Sequence, residues 1–233
     1  MNIGKREEIL GRIREALRVP APRPHGSPGR NDASHANQAK QTPREWLPPV
    51  PLESGSRVAL FGERCAQLRT DFLTVSGPEE AAAVLLSLRA RHSWTVLGAH
   101  HHPLIDPLVR ALGLKTVYVE EHPGSKSMER CSVGITACDA LIAQTGSILL
   151  TARSGGGRTL SVLPPHHVVV ATTDQLLPDL PAAFELLEAK YGDNYPSFAT
   201  FITGPSRTGD IERILVLGAH GPRRLTVLLV GAI

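Results

Sequence analysis

The stretch "DFLTVSGPEEAAAVLLSLRARHSWTVLGAHHHPLIDPLVRALGLKTVYVE", Asp71 to Glu120, alternates short apolar runs with segments of helical pattern. "DFLTVS" reads as a strand and "GPEEAAAVLLSLRARH" as a helix, with Ser76 and Glu79 at capping-box spacing. "WTVLGA" is a second strand, "PLIDPLVRAL" a second helix and "KTVYVE" a third strand. Strands that alternate with helices in this way build a mainly parallel sheet with helices on both faces.

Toward the C-terminus the rhythm changes. "ALIAQT", "SILLTA", "TLSVL" and "HVVVATT" are four strand candidates with almost no room for helices between them. Parallel neighbours need long crossovers, so antiparallel hairpins are expected here and the sheet should be mixed. "LPDLPAAFELLEAKYG" is a helix, "FATFIT" a strand, and "LTVLLVGAI" is apolar enough for a central strand covered on both faces. The fold class expected is therefore α/β: a mixed, largely parallel sheet with flanking helices.

Toward the N-terminus, Ile3, Ile9, Leu10, Ile13, Ala16 and Leu17 fall near helical spacing among Arg and Glu, and Pro20 ends that amphipathic helix. Pro20 to Pro43 is rich in Pro, Gly, Ser, Asn and His, a flexible or extended linker with little to bury. The expected organisation is a helix over 1–19, a linker over 20–45 and an α/β domain over 46–233. The helix needs a partner surface, on the same chain or on a second subunit of a homo-oligomer.

The totals narrow the function. A net charge of +3 is spread among acids, and aromatic residues make up only 4% of the 233 positions, which argues against a nucleic-acid partner. Cys65, Cys131 and Cys138 include no C-x-x-C pair, so neither a disulfide framework nor an iron–sulfur or zinc site is written here. The sequence contains no apolar run of the roughly 20 residues a membrane span needs, and charges interrupt the N-terminal apolar pattern. A cytoplasmic protein is expected.

The stretch "ITGPSRTGDIERILVLGAHGPRR", Ile202 to Arg224, spaces two glycines as a phosphate-binding P-loop does, but has Asp210 and Ile211 where that loop has Lys and Ser or Thr. A nucleotide triphosphate is disfavoured; a small anion is not. Strand, glycine turn and helix N-terminus would offer backbone N–H groups at Gly204, with Ser206 and Thr208 adding hydroxyls and Arg207 a guanidinium fork for a carboxylate or phosphate. Asp210 and Glu212 have two readings, helix-dipole partners in a first turn or a general base and an orienter of Arg207. His220, at the expected helix end, is either a dipole-stabilised cation or a proton donor and acceptor.

In "LIAQTGSILL", Gly146 marks a tight turn, and Gln144, Thr145 and Ser147 around it are either simple hairpin residues or the material of a carboxylate cradle. "RSGGGR" reads as a mobile hairpin from which Arg153 and Arg158 could fold over an anion. His100, His101 and His102, like His166 and His167, read as loop histidines rather than a metal site, since adjacent residues at a strand end face opposite ways. No nucleophile elbow or zinc-binding H-E-x-x-H run is present.

"ALIAQTGSILL", "TLSVLPPHHVVV" and "FITGPSRTGDIERILVLGAHGPRRLTVLLV", in that order, resemble the LUD family, closest to its lactate utilisation protein C type. The resemblance covers about Asp71 to Ile233, and more loosely the "ILGRIREAL" helix. It implies a fold similar to the sugar-phosphate isomerase and coenzyme A transferase (NagB/RpiA/CoA-transferase-like) superfamily. It also implies a share in the oxidation of L-lactate to pyruvate beside two partner subunits, one carrying iron–sulfur motifs and one cysteine-rich motifs. No cofactor is expected in this chain; iron–sulfur clusters belong to the partners. Gln144 stands where the family's "IAETG" has Glu, and the linker is unusually polar. On this reading "QTGS" and "GPSRTGDIE" form one site for lactate or a related anionic metabolite. The rival is a non-catalytic assembly or regulatory subunit; a third reading, a stand-alone enzyme on a phosphosugar or coenzyme A ester, would expect a Glu nucleophile where Gln144 stands.

Overall fold

The computed structural model describes residues 11–12, 14–15, 49–51, 53–122, 125–192, 194–208, 216–217 and 221–231. The chain divides into two compact units, Met1–Trp46 and Leu47–Ile233. In the first, Gly11, Arg12, Arg14 and Glu15 are helical; the expected linker lies outside the described residues.

The second unit begins with α1 (Ser54–Leu68), β1 (Asp71–Val75), α2 (Pro78–His92), β2 (Val96–Ala99), α3 (Asp106–Leu112), β3 (Lys115–Tyr118), α4 (Ser125–Met128) and β4 (Val133–Thr136). There follow β5 (Ala140–Ile142), β6 (Ser147–Thr151), α5 (Thr159–Val162), β7 (His166–Thr172), β8 (Leu176–Leu177), α6 (Leu180–Tyr191) and β9 (Ala199–Ile202). β10 (Arg207–Thr208), β11 (Val216–Leu217) and β12 (Arg224–Val230) complete the order.

Among the described residues the main sheet has the order β1-β12-β7-β4-β2-β3, and every neighbouring pair in it is parallel. The βαβ alternation from Asp71 onward produces this sheet as expected, and the strand read as central lies between β1 and β7. Its two faces show the period of two that a strand imposes. Val168, Val170 and Leu228 face a core with Leu85, Leu88, Leu108 and Leu112 of α2 and α3. Val169, Ala171, Val227 and Leu229 face another, with Phe61 and Cys65 of α1 and Leu141, Ile148 and Leu150 of β5 and β6.

The antiparallel component sits in a second sheet of order β8-β5-β6-β9, in which β6 pairs antiparallel with β5 and β9. That sheet covers the α1 face of the main sheet and buries Ala140, Ile142 and Leu149 against Ala183, Leu187 and Tyr191 of α6. "ALIAQT" and "SILLTA" thus form the expected hairpin, whereas "HVVVATT" returns to the parallel sheet.

"TLSVL" is a short helix, α5, and not a strand. Space explains this. A Cβ on Gly134 would lie 2.5 Å from the Leu160 carbonyl oxygen, and one on Gly98 2.9 Å from a Leu160 methyl, so glycines in β4 and β2 admit the α5 backbone. The capping of α2 also differs: Ser76 donates through N and Oγ to Glu80, at 2.8 and 2.7 Å, rather than pairing with Glu79. Val216 and Leu217, read as part of a helix toward His220, form a strand antiparallel to Arg207–Thr208.

Candidate functional site

The two loops expected to form one site do meet. Gly146 follows β5 with φ +67°, the left-handed region open to glycine, and a Cβ there would stand 2.7 Å from Cβ of Arg64 in α1. This tight turn aims the Thr145 hydroxyl at Ser147 Oγ, 2.8 Å away, and Ser147 Oγ lies 2.8 Å from Thr203 Oγ1 at the end of β9. Gly204, at φ +88°, then passes beside the Leu68 carbonyl at the C-terminus of α1.

Arg207 donates from Nη2 to that same Leu68 carbonyl. A guanidinium has five donors, so this contact fixes the side chain and leaves capacity for an anion at its outer edge. Ser206 N donates to the Pro222 carbonyl at 2.9 Å, which ties the "GPSR" loop to the "GPRR" segment before β12. Thr208 carries backbone pairing to Val216. Asp210, Glu212 and His220 lie outside the described residues, as does the expected start of a helix there.

Beside this junction is a cleft of about 370 Å³ that includes Thr203, Gly204 and Ser206, with Phe198, Phe201, Val162 and Leu225 as apolar wall and His167 at its base. His167 is 1% exposed; its Nε2 lies 2.9 Å from Thr136 Oγ1, and its buried Nδ1 has no partner among the described residues. Burial, followed by the adjacent His166, pulls its pKa down to about 3. The imidazole is therefore neutral at pH 7 and can present one nitrogen to a hydroxyl or carboxylate. His166 and His167 stand in a strand rather than a loop, and successive strand residues point to opposite faces.

The usual ligand crevice of such a sheet lies outside the carboxyl ends of neighbouring strands whose connections run in opposite directions, here β2 and β4. It is occupied by protein. Asp139 Oδ1 accepts from Lys190 Nζ and Tyr191 OH, both at 2.6 Å, and Oδ2 accepts from Ser154 Oγ at 2.5 Å. Burial pushes the Asp139 carboxyl up, but bonds from Lys190, Ser154, Tyr191 and Thr151 outweigh it and hold the pKa below the ordinary value. His100 Nε2 accepts the Ala137 N–H at 3.2 Å; burial and His102 pull its pKa down to about 4.

The "RSGGGR" turn is pinned to this cluster. Ser154 is inside the Asp139 network, Gly156 packs on His100, and Arg153 donates to the Asn194 carbonyl at 3.1 Å while lying 5.3 Å above the Tyr191 ring. Sequence reasoning missed Asp139 and Lys190 because their partners are far apart in the chain. The buried thiols of Cys65 and Cys138 are pushed up by desolvation, Cys65 to about 12, and Cys131 is raised likewise, so none is an activated nucleophile.

Comparison with known proteins places these features in a family. Residues 58–230 match the LUD domain. The chain is 35% identical over 116 residues to the lactate utilization protein C of Macrococcus caseolyticus, covering 48% of this chain and 50% of that protein. It is 32% identical over 188 residues to the lactate utilization protein C of Halalkalibacterium halodurans, covering 76% of this chain and 80% of that protein. The crystal structure of a DUF162 family protein from Deinococcus radiodurans superposes with a TM-score of 0.62 at 27% identity, over 78% of this chain and 100% of that one.

Proposed function

From the fact that this chain belongs to the LUD domain family, we propose that it serves lactate utilisation and holds a small carboxylate where the "QTGS" turn meets the "GPSR" loop. The observation that carries this reading is the Ser147 to Thr203 hydrogen bond of 2.8 Å, which joins the two loops beside a cleft of about 370 Å³. A hydroxy or keto acid of lactate's size needs one cation and one or two neutral hydrogen-bonding groups. Arg207, next to Ser206 on the loop although not itself in the cleft lining, supplies the first, and Ser206 and Thr203 the second.

In this reading the chain is the ligand-holding member of a lactate-oxidising set, and iron–sulfur and cysteine-rich partner subunits carry the electrons. Its own three thiols are buried with raised pKa values, which suits a role without redox centres.

Calorimetric titration with L-lactate, pyruvate, ribose 5-phosphate and coenzyme A tests the proposal. Saturable binding of lactate or pyruvate is expected, weakened about tenfold or more, roughly 1.4 kcal/mol, by Arg207→Ala. Because Arg207 also fixes the α1 carboxyl end, Thr203→Val is the companion variant; it breaks the link to Ser147 at an exposed position. Equal lactate affinity in both variants would sink the site. The second reading, an assembly subunit, draws on Phe184 and Tyr195, which are 58% and 55% exposed, and gains if none of the four ligands binds.

A further inference from the structure

A second cleft, of about 430 Å³, opens at the amino-terminal ends of β7 and β12, lined by His92, Trp94, Ser132, Pro165, His166, Arg223 and Arg224. His166 and His167 are consecutive in β7, so the strand sends one imidazole to each face of the sheet; His167 lines the cleft described above and His166 this one.

Three observations set this cleft apart from ordinary surface. Arg223 and Arg224 both line it, and their backbone N–H groups are both held by the Pro165 carbonyl, at 2.9 and 3.2 Å. No carboxylate is among its lining residues; Asp71 acts on His92 from outside them. Trp94 and His166 are 4% and 3% exposed, yet Trp94 Nε1 and His166 Nδ1 are buried without a hydrogen-bond partner among the described residues. A buried indole N–H that has lost water and gained nothing costs about 1–3 kcal/mol and calls for an explanation beyond stability.

The rings also define a shape. Trp94 and His166 meet edge to face at 5.2 Å, and His92 lies nearly parallel to Trp94 at 6.3 Å, giving the cleft an aromatic wall. We propose that this cleft binds a phosphate monoester with a flat organic body: the phosphate dianion on Arg223 and Arg224, the body along His92 and Trp94. The size of the cleft exceeds what a bare phosphate fills, and paired guanidiniums suit a doubly charged oxyanion better than a monocarboxylate. The site is separate from the carboxylate cleft and does not depend on it.

The test uses Trp94 as its own reporter in a Trp46→Phe background, since these are the chain's two tryptophans. Fluorescence and calorimetric titrations are run with AMP, ribose 5-phosphate and inorganic phosphate. AMP should bind saturably with Kd below about 1 mM and more tightly than the other two. The double variant Arg223→Gln, Arg224→Gln should weaken it at least about tenfold, and Trp94→Phe, read by calorimetry, about threefold or more. Lactate affinity should stay unchanged in the double variant. No saturable response to any probe at about 10 mM, or AMP affinity untouched by loss of both arginines, overturns the proposal; tighter binding of inorganic phosphate than of AMP overturns the assignment of an organic body.

Discussion

The two ends of the main sheet treat buried polar groups in opposite ways. At the carboxyl ends of β2 and β4, Asp139 is enclosed with Lys190, Tyr191 and Ser154, and both its oxygens are hydrogen-bonded. At the amino ends of β7 and β12, His166, His167 and Trp94 each keep a buried nitrogen without a partner among the described residues, and each lines a cleft. Satisfied buried groups stabilise a fold, while unsatisfied ones cost it free energy and call for an explanation. The difference teaches that in this molecule the topological crevice has been turned into structure, while the unpaired buried nitrogens and both clefts lie at the other end.

Acid should produce the largest effect and test both ends together. His100, His166 and His167 have folded pKa values of about 4, 4 and 3, below the ordinary 6.5. Between those values the unfolded chain binds more protons than the folded one. Their contribution is therefore present above about pH 6.5 and is lost as pH falls toward 4, by about 1.4 kcal/mol per pH unit for each histidine. Asp139, with its lowered pKa, adds loss in the same direction at still lower pH. Urea unfolding from pH 7 to pH 4 measures the slope, and His166→Gln with His167→Gln should flatten it by removing the contributions of those two histidines. An unchanged slope would place the acid sensitivity elsewhere.

Next in size is the saturated end by itself. Asp139→Ala leaves the Tyr191 and Ser154 hydroxyls without their acceptor, while the half-exposed Lys190 turns to water, and should cost about 1–3 kcal/mol in urea unfolding. A loss below about 1 kcal/mol would erase the contrast between the two ends. Gly146→Ala should cost about 1–3 kcal/mol, from a positive φ and a Cβ 2.7 Å from Arg64, and should weaken lactate binding through the displaced Ser147. The smallest effect sharpens the comparison most. Arg223→Gln with Arg224→Gln, both exposed, should change stability by no more than about 0.5 kcal/mol while abolishing any stabilisation by AMP.

The parallel sheet was legible because its signal is local: apolar runs of strand length separated by helices. α1 was not, since Gly62 interrupts its pattern; a Cβ there would lie 3.1 Å from the Phe72 ring, so the glycine answers a tertiary contact. α5 was misread as a strand for a related reason, because the room for it is made by Gly98 and Gly134 in other elements. The contact between the two loops was legible from the density of hydroxyls around Gly146 and Gly204. The Asp139 network was not, because "ACDAL" contains nothing that announces Lys190, Tyr191 or Ser154.

The position of β12 has a consequence for how the molecule comes to be made. Asp71 of β1 pairs with Thr226, and Val168 of β7 pairs with that same Thr226 from the other side. Until residues 224–230 have been synthesised, β1 has no neighbour in the sheet and β7 keeps a bare edge, so the main sheet stays in two pieces through most of translation. Such late, long-range pairing is slow and leaves apolar strand edges open to aggregation. A nascent or truncated chain stopping before Arg224 is thus the form of this protein that most needs a chaperone.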